Sequence, residues 1–124
     1  MKIVSIVARY LLGLMFLVFG LNSFLNFIHA GPMPAGPAGD FSKVLMSTHY
    51  FYVVGSLMVI SGLLFLIGRF VPLALTLIGP VIVNILLFHL FMAPSTIGPG
   101  AVAAILWFLV FWEHRSAFAG LFRP

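Results

Sequence analysis

Long apolar stretches alternate with short polar segments along this chain. The first stretch, residues 10–28, contains nineteen residues and no charge. At about 1.5 Å per residue in a helix, this is roughly enough to cross the hydrocarbon core of a bilayer. The pattern returns three more times. We therefore predict four transmembrane helices within a single domain of residues 1–124, at about residues 3–28, 50–68, 72–92 and 97–115.

The segment 29–48, between the first two apolar stretches, has a different composition. Its first half is rich in glycine and proline, which favours an irregular surface loop. Asp40 then suits a helix N-cap, and Phe41, Val44 and Leu45 follow at the spacing of one helical face. This pattern predicts a short amphipathic helix that lies in the outer interface and covers the mouth of the bundle.

Composition supports a membrane protein. Hydrophobic residues make up 63% of the 124 residues and charged residues only 6%, against about 25% charged residues in a typical soluble domain. The predicted fold class is an all-α membrane protein, a four-transmembrane-helix bundle with a short amphipathic outer helix. A signal peptide is the rival interpretation of the first stretch, but Asn22 and Asn26 interrupt it. The chain has no cysteine, which excludes disulfides and thiolate chemistry within it.

The charged residues predict how the bundle is oriented. The formal net charge is +4, but the basic residues are isolated beside apolar stretches, which is typical of topology signals and not of nucleic-acid binding. With the N-terminus inside, five basic residues lie on the cytoplasmic side and only Lys43 lies outside. The five are Lys2, Arg9, Arg69, Arg115 and Arg123. The positive-inside rule therefore predicts that the N- and C-termini are inside.

Polar side chains gather in the outer half of the predicted bundle. Asn22, Asn26 and His29 form one stripe on the first helix, and His49 and Tyr52 lie on one face of the second. Neutral histidine and amide groups are suitable partners for the carbonyl oxygens of a quinone, and aromatic walls suit a flat ring. A ligand-binding pocket that opens outward is therefore one interpretation. Its alternative is hydrogen bonding between helices, which we favour for the asparagines.

The third helix adds Asn84 and His89 to this candidate ligand-binding set. They are five residues apart, so they differ by about 140° around the helix axis and cannot both point the same way without distortion. Pro80 precedes them and leaves the carbonyl of Thr76 without its usual backbone donor. An ionisable residue within a span is a functional hypothesis by default. For His89 the functional and the structural interpretation both stay open.

The sequence suggests two further arrangements of polar side chains, one at each end of the bundle. His29, His49 and His89 are expected at the outer end on three helices, and three imidazoles with a water can hold zinc. No ligand-pair spacing supports such a site, so we expect no metal centre. At the inner end, Arg9 and Glu113 are predicted to form a structural ion pair between the first and fourth helices. The alternative is two snorkelling side chains that do not meet.

Three segments resemble the DoxX family of small bacterial membrane proteins. They are RYLLGLMFLVFGLNSFLNFI in the first helix, MPAGPAGDFSKVLMSTHYF, and SGLLFLIGRFVPLALTLIGPVIVNILLFHLF across the second and third helices. The resemblance implies a four-helix transmembrane bundle in a bacterial cytoplasmic (inner) membrane. It also implies a link to redox chemistry, because the family takes its name from a subunit of a thiosulfate:quinone oxidoreductase. The family offers no catalytic motif to carry over to this sequence.

The main hypothesis is an accessory or quinone-interacting component of a membrane redox system. In it, polar residues of the first and third helices contact the ligand, and a quinone is the suggested cofactor. The partners are the lipid bilayer and either a redox protein or further copies of this chain. No motif assigns a catalytic residue, so enzyme activity stays open. The alternatives are a non-catalytic scaffold or assembly subunit, supported by a close-packing face at Gly55 and Gly62, and a small-molecule carrier.

Overall fold

A computed structural model describes residues 2–29 and 31–124, and it contains helices and no β-strand among them. Five α-helices follow one another along the chain. Their bounds are Lys2–Leu25 for α1, Pro37–Ser47 for α2, Tyr50–Ile67 for α3, Val71–Met92 for α4 and Gly98–His114 for α5. Short 3-10 helices occupy Pro94–Thr96 and Arg115–Phe122.

Four of these elements are long and apolar enough to cross a membrane, namely α1, α3, α4, and α5 with its 3-10 extension to Phe122. Large apolar side chains lie exposed on them, for example Leu14, Val53 and Phe108. Water-soluble proteins rarely expose so much contiguous apolar surface, whereas lipid-facing helices require it. The predicted all-helical protein with four candidate spans is confirmed.

Glycines allow α1 and α3 to pack closely. Gly13 and Gly20 of α1 face Gly55 and Gly62 of α3. A Cβ at Gly62 would lie 2.6 Å from the amide nitrogen of Leu17 and 2.8 Å from the carbonyl oxygen of Gly13. These neighbours are backbone atoms that cannot move aside, so only glycine fits. The close-packing face expected at Gly55 and Gly62 is therefore filled by α1 of the same chain.

A single core joins the four long helices, and a hydrogen bond between α5 and α4 crosses it. Trp107 of α5 donates its Nε1–H to the carbonyl of Leu75 in α4 at 3.0 Å. Its ring lies over Gly79, where a Cβ would come within 3.7 Å of the indole. Within a membrane each buried polar group needs such an internal partner. The fully buried core side chains include Leu12, Phe65, Leu75, Ile78 and Val110.

Two helix boundaries differ from the predicted ones. α1 ends at Leu25 and not near residue 28, because Asn26 has a left-handed backbone with φ of +47°, a conformation that ends α-helices. α2 begins at Pro37, so Asp40 lies in its first turn and is not the N-cap. Proline suits the first helical position because its missing N–H would be unpaired there anyway. Asp40 instead favours this helix end through the helix dipole.

The glycine contact gives a direct stability prediction. We expect Gly62→Ala to destabilise the protein by about 1–3 kcal/mol, the usual cost of forcing extra volume into a filled interface. Gly98→Ala is the matched control, because no atom lies within 4 Å of a Cβ at Gly98. Thermal unfolding in detergent should show a lower midpoint for the first variant alone. Equal midpoints for both variants would contradict the close α1–α3 contact.

Candidate functional site

A groove of about 610 Å³ lies between α2, α3 and α4. Its volume is within the range of pockets that hold small molecules and cofactors. Most of its lining is apolar, and five polar side chains lie among the apolar ones. The lining residues are Phe41, Ser42, Val44, Leu45 and Thr48 of α2 and its C-cap, Tyr50 and Val54 of α3, and Val81, Asn84, Ile85, Phe88 and His89 of α4. We call this site the α2–α4 groove.

The short helix α2 forms one wall of the groove. Phe41, Val44 and Leu45, which the sequence pattern grouped on one helical face, all line it. The Phe41 ring also contacts the Phe88 ring of α4, with centroids 5.5 Å apart. Such a pair contributes about 0.5–1.5 kcal/mol beyond the area it buries. This contact therefore helps to hold α2 against α4.

α4 forms the opposite wall with one broad helical face. Residues 81, 84, 85, 88 and 89 line the groove, and they follow the spacing of an apolar helix stripe. At about 100° per residue, Asn84 and His89 occupy the two edges of this stripe. The separation expected from the sequence is thus retained, but the groove is wide enough for both side chains to reach it. The two side chains therefore reach one groove from its two edges without pointing the same way.

Both of these polar side chains hydrogen-bond to their own helix. Asn84 donates from Nδ2 to the Pro80 carbonyl at 2.8 Å, and His89 Nδ1 lies 2.8 Å from the Ile85 carbonyl oxygen. A carbonyl oxygen only accepts, so Nδ1 carries the proton and Nε2 is the other ring nitrogen left available. The Phe88 ring stands edge-on to the His89 ring with centroids 5.0 Å apart. These two contacts orient the imidazole.

The polar stripe predicted on the first helix does not line the groove. Asn22 Oδ1 accepts from the Ile28 N–H at 2.7 Å, and its Nδ2 donates to the Ile28 carbonyl at 3.4 Å. Asn26 supplies the left-handed residue that ends α1, and His29 is exposed beyond it. The two asparagines therefore shape the end of α1, instead of joining helices.

His49 and Tyr52 belong to a separate group of rings near the start of α3. Tyr52 stacks on Phe24 of α1 with centroids 5.2 Å apart, and on Phe51 and His49 at 4.4 Å and 5.6 Å. None of these four side chains lines the α2–α4 groove. The single outer pocket expected from helices 1 to 3 is thus divided, and only Asn84 and His89 of the predicted set reach the groove.

The histidines do not form a metal-binding cluster. His89 lies in the groove, His49 stacks outside it and His29 is in the loop after α1. In the part of the chain that the structure describes, no three histidine, aspartate or glutamate side chains are close enough to hold a metal ion. The set of three imidazoles considered from the sequence does not converge.

A second, smaller cavity of about 310 Å³ lies at the opposite end of the bundle. Its lining brings Arg9 and Glu113 together with Lys2 and His114. The Arg9 guanidinium donates to the Phe65 carbonyl, and it also lies over the Tyr10 ring at 4.5 Å. The hydrogen bond of Arg9 thus ties α1 to the end of α3. The ion pair with Glu113 stays a prediction.

Ser42, Thr48 and Tyr50 are groove residues that sequence reasoning missed. Ser42 does not belong to the apolar face formed by Phe41, Val44 and Leu45, yet it lines the groove beside Phe41. Thr48 and Tyr50 flank the turn between α2 and α3, and no periodic pattern extends through that turn. The stripe at residues 81, 84, 85, 88 and 89 was the one available signal, because its spacing places polar and aromatic residues on a single helical face.

Comparison of the chain with protein-family models, with curated proteins and with solved structures finds no match. Any function must therefore be argued from the α2–α4 groove and the chemistry of its side chains. Membership of the DoxX family stays a hypothesis based on the three resembling segments.

The structural role of Asn26 can be separated from a ligand-binding role. We expect Asn26→Gly to keep or slightly raise thermal stability, since glycine adopts a positive φ without steric cost. Asn26→Val should lower stability by about 1–2 kcal/mol, the cost of a left-handed conformation for a residue with a Cβ. Thermal unfolding of both variants tests this ordering. If the glycine variant were as unstable as the valine variant, the side-chain amide of Asn26, and not its backbone conformation, would be what stabilises this end of α1.

Proposed function

We propose that this chain is a multi-pass membrane protein that binds a lipid-soluble small molecule in the α2–α4 groove. The observation that carries this proposal is the combination of an apolar cavity of about 610 Å³ with the polar side chains of Asn84 and His89 at the edges of one helical face. Apolar walls with a few convergent polar groups are the common form of a small-molecule site.

The position of His89 strengthens the case for binding. It is a half-buried ionisable residue near the end of a candidate span, oriented by the Ile85 carbonyl and the Phe88 ring. A polar group is costly in this environment, so its presence favours a functional role. The Phe41 and Phe88 rings, which contact each other and both line the groove, offer an aromatic surface that suits a ligand with a flat ring.

We further propose a place for the protein in the cell. The resemblance to the DoxX family supports a bacterial cytoplasmic membrane and an accessory role in a redox system, with a redox protein as partner. The positive-inside rule supports cytoplasmic termini, because Lys2 and Arg9 lie beside Gly68 and Glu113 at one end, while Lys43 is on α2 beside the other.

The scaffold alternative rested on the close-packing face at Gly55 and Gly62 and on the lack of a catalytic motif. Within this chain α1 occupies that face, so the face does not support a protein partner, while the lack of a catalytic motif still supports the alternative. Substituting these glycines would disrupt the bundle itself and would not report on a protein partner.

The binding proposal can be tested by filling the groove. We expect purified wild-type protein to form a one-to-one complex with decylbenzoquinol, detected by native mass spectrometry from a mild detergent. Leu45→Trp, which adds a large ring to the groove wall, should remove this complex. Val53→Trp is the matched control, because Val53 lies on an exposed face of α3 outside the groove.

Two results would contradict the proposal. One is the absence of any wild-type complex with the ring compound. The other is equal loss of the complex in the Leu45→Trp and Val53→Trp variants, which would show that binding occurs on the general lipid-facing surface.

The proposed orientation has its own test. The chain contains no cysteine, so single cysteines can be introduced without removing native ones. Two exposed serines suit this purpose. Ser95 lies in the loop between α4 and α5, and Ser116 lies just after α5, so the variants are Ser95→Cys and Ser116→Cys. In intact cells, a membrane-impermeant maleimide should label the first variant and spare the second. Labelling of the Ser116→Cys variant alone would show that the termini face outward, which is the opposite of the proposed orientation.

A further inference from the structure

Four polar side chains of the α2–α4 groove each already donate one hydrogen bond within their own helix. Ser42 donates to the Ala38 carbonyl at 2.9 Å, and Thr48 donates to the Val44 carbonyl at 2.6 Å. Asn84 and His89 donate in the same way to the carbonyls of Pro80 and Ile85. Each bond returns to a carbonyl four residues earlier on the same helix. In an apolar site this is how such side chains satisfy their hydrogens.

After these bonds, the four side chains have mostly hydrogen-bond acceptors left for a ligand. The hydroxyl oxygens of Ser42 and Thr48 keep lone pairs, as does Oδ1 of Asn84. In the neutral imidazole, His89 Nε2 is also an acceptor, because Nδ1 carries the proton. The remaining side-chain donors of the groove are the second N–H of Asn84 and the hydroxyl of Tyr50. The Tyr50 hydroxyl oxygen can also accept, so the groove offers five acceptor groups and two donor groups.

This imbalance changes the expected ligand. A quinone carbonyl only accepts hydrogen bonds, so in the groove only the second N–H of Asn84 and the hydroxyl of Tyr50 could donate to it, and beside His89 Nε2 it would face a lone pair. A ring hydroxyl instead donates a hydrogen to the lone pairs of His89 and Asn84. A bound ring would cover these acceptors, and covering an acceptor without supplying a donor costs more than the bond itself contributes, so the two kinds of ligand should be clearly distinguished.

We propose that the α2–α4 groove selects lipid-soluble aromatic hydroxyl compounds, such as phenols and quinols, and that His89 Nε2 accepts the hydroxyl hydrogen. This inference rests on the proposed function and specifies the chemistry of the same site. The aromatic part of the ligand is matched by Phe41 and Phe88, whose rings meet across the groove. Its hydroxyl is matched by the acceptors at the two edges of the α4 stripe.

A matched pair of probes isolates the hydroxyl hydrogens. Decylbenzoquinol and decylbenzoquinone share a carbon skeleton and differ by two such hydrogens. We would measure the dissociation constant of each for the whole protein in nanodiscs, without oxygen, by equilibrium partition. We expect the quinol to bind at least about tenfold more tightly, the factor that corresponds to one well-formed hydrogen bond in a site with little water.

Variants assign the preference to His89. His89→Phe keeps a ring of similar size but removes Nε2, so quinol binding should weaken and most of the preference should be lost, while quinone affinity stays near its wild-type value. His29→Phe is the control, because His29 lies outside the groove. Should His89→Phe fail to fold, Asn84→Leu at the other edge should reduce the preference in part.

The outcomes separate this inference from the proposed function. Binding of both probes with equal affinity, or tighter binding of the quinone, would overturn the donor preference but keep the groove as a binding site. Binding of neither probe would overturn both. Complexes with phospholipids alone would overturn the aromatic specificity. A quinol preference that survives in both the His89→Phe and the Asn84→Leu variants would show that neither residue is the acceptor of the hydroxyl hydrogen.

Discussion

The contact between α1 and α3 is the constraint on which the bundle depends. Gly13 and Gly20 face Gly55 and Gly62, and any side chain at Gly62 would meet the backbone of α1. Lipid tails are as apolar as leucine, so helices in a bilayer gain little from apolar burial and depend on close van der Waals packing. With α1 fixed on one side of α3, α4 packs elsewhere on α3, and the space beside α3 and α4 is left for α2.

The α2–α4 groove follows from this arrangement. α2 is only eleven residues long, so it cannot span the bilayer and instead lies against α3 and α4. It contributes apolar side chains on its inner face, while α4 contributes a stripe with a polar residue at each edge. The polar groups satisfy their hydrogens within their own helices, which lowers their cost in an apolar setting and leaves lone pairs toward the groove. The same local bonds that make these residues tolerable also determine what they can bind.

Sequence reasoning located the four spans because length and absence of charge are strong signals in a membrane protein. It also grouped Phe41, Val44 and Leu45 correctly, since all three lie on one wall of the groove. It was less successful with polar residues, because an asparagine that ends a helix and one that binds a ligand are the same residue type. Asn22 and Asn26 fit a helical stripe in the sequence, but the helix ends before that stripe is complete. The angle of about 140° between Asn84 and His89 around the helix axis was correct, but the sequence does not show that a groove is wide enough for both residues to line it.

Mapping where a lipid-soluble phenol binds tests the existence of this site most directly. A phenol that carries a light-activated diazirine would be added to the protein in nanodiscs, and the attachment sites would be identified by mass spectrometry. Attachment should concentrate on the residues that line the α2–α4 groove, at positions 41, 42, 44, 45, 48, 50, 54, 81, 84, 85, 88 and 89, and excess decylbenzoquinol should suppress it. Attachment spread over exposed apolar positions such as Leu14 and Val102, unaffected by the competitor, would show that the α2–α4 groove is not a ligand-binding site.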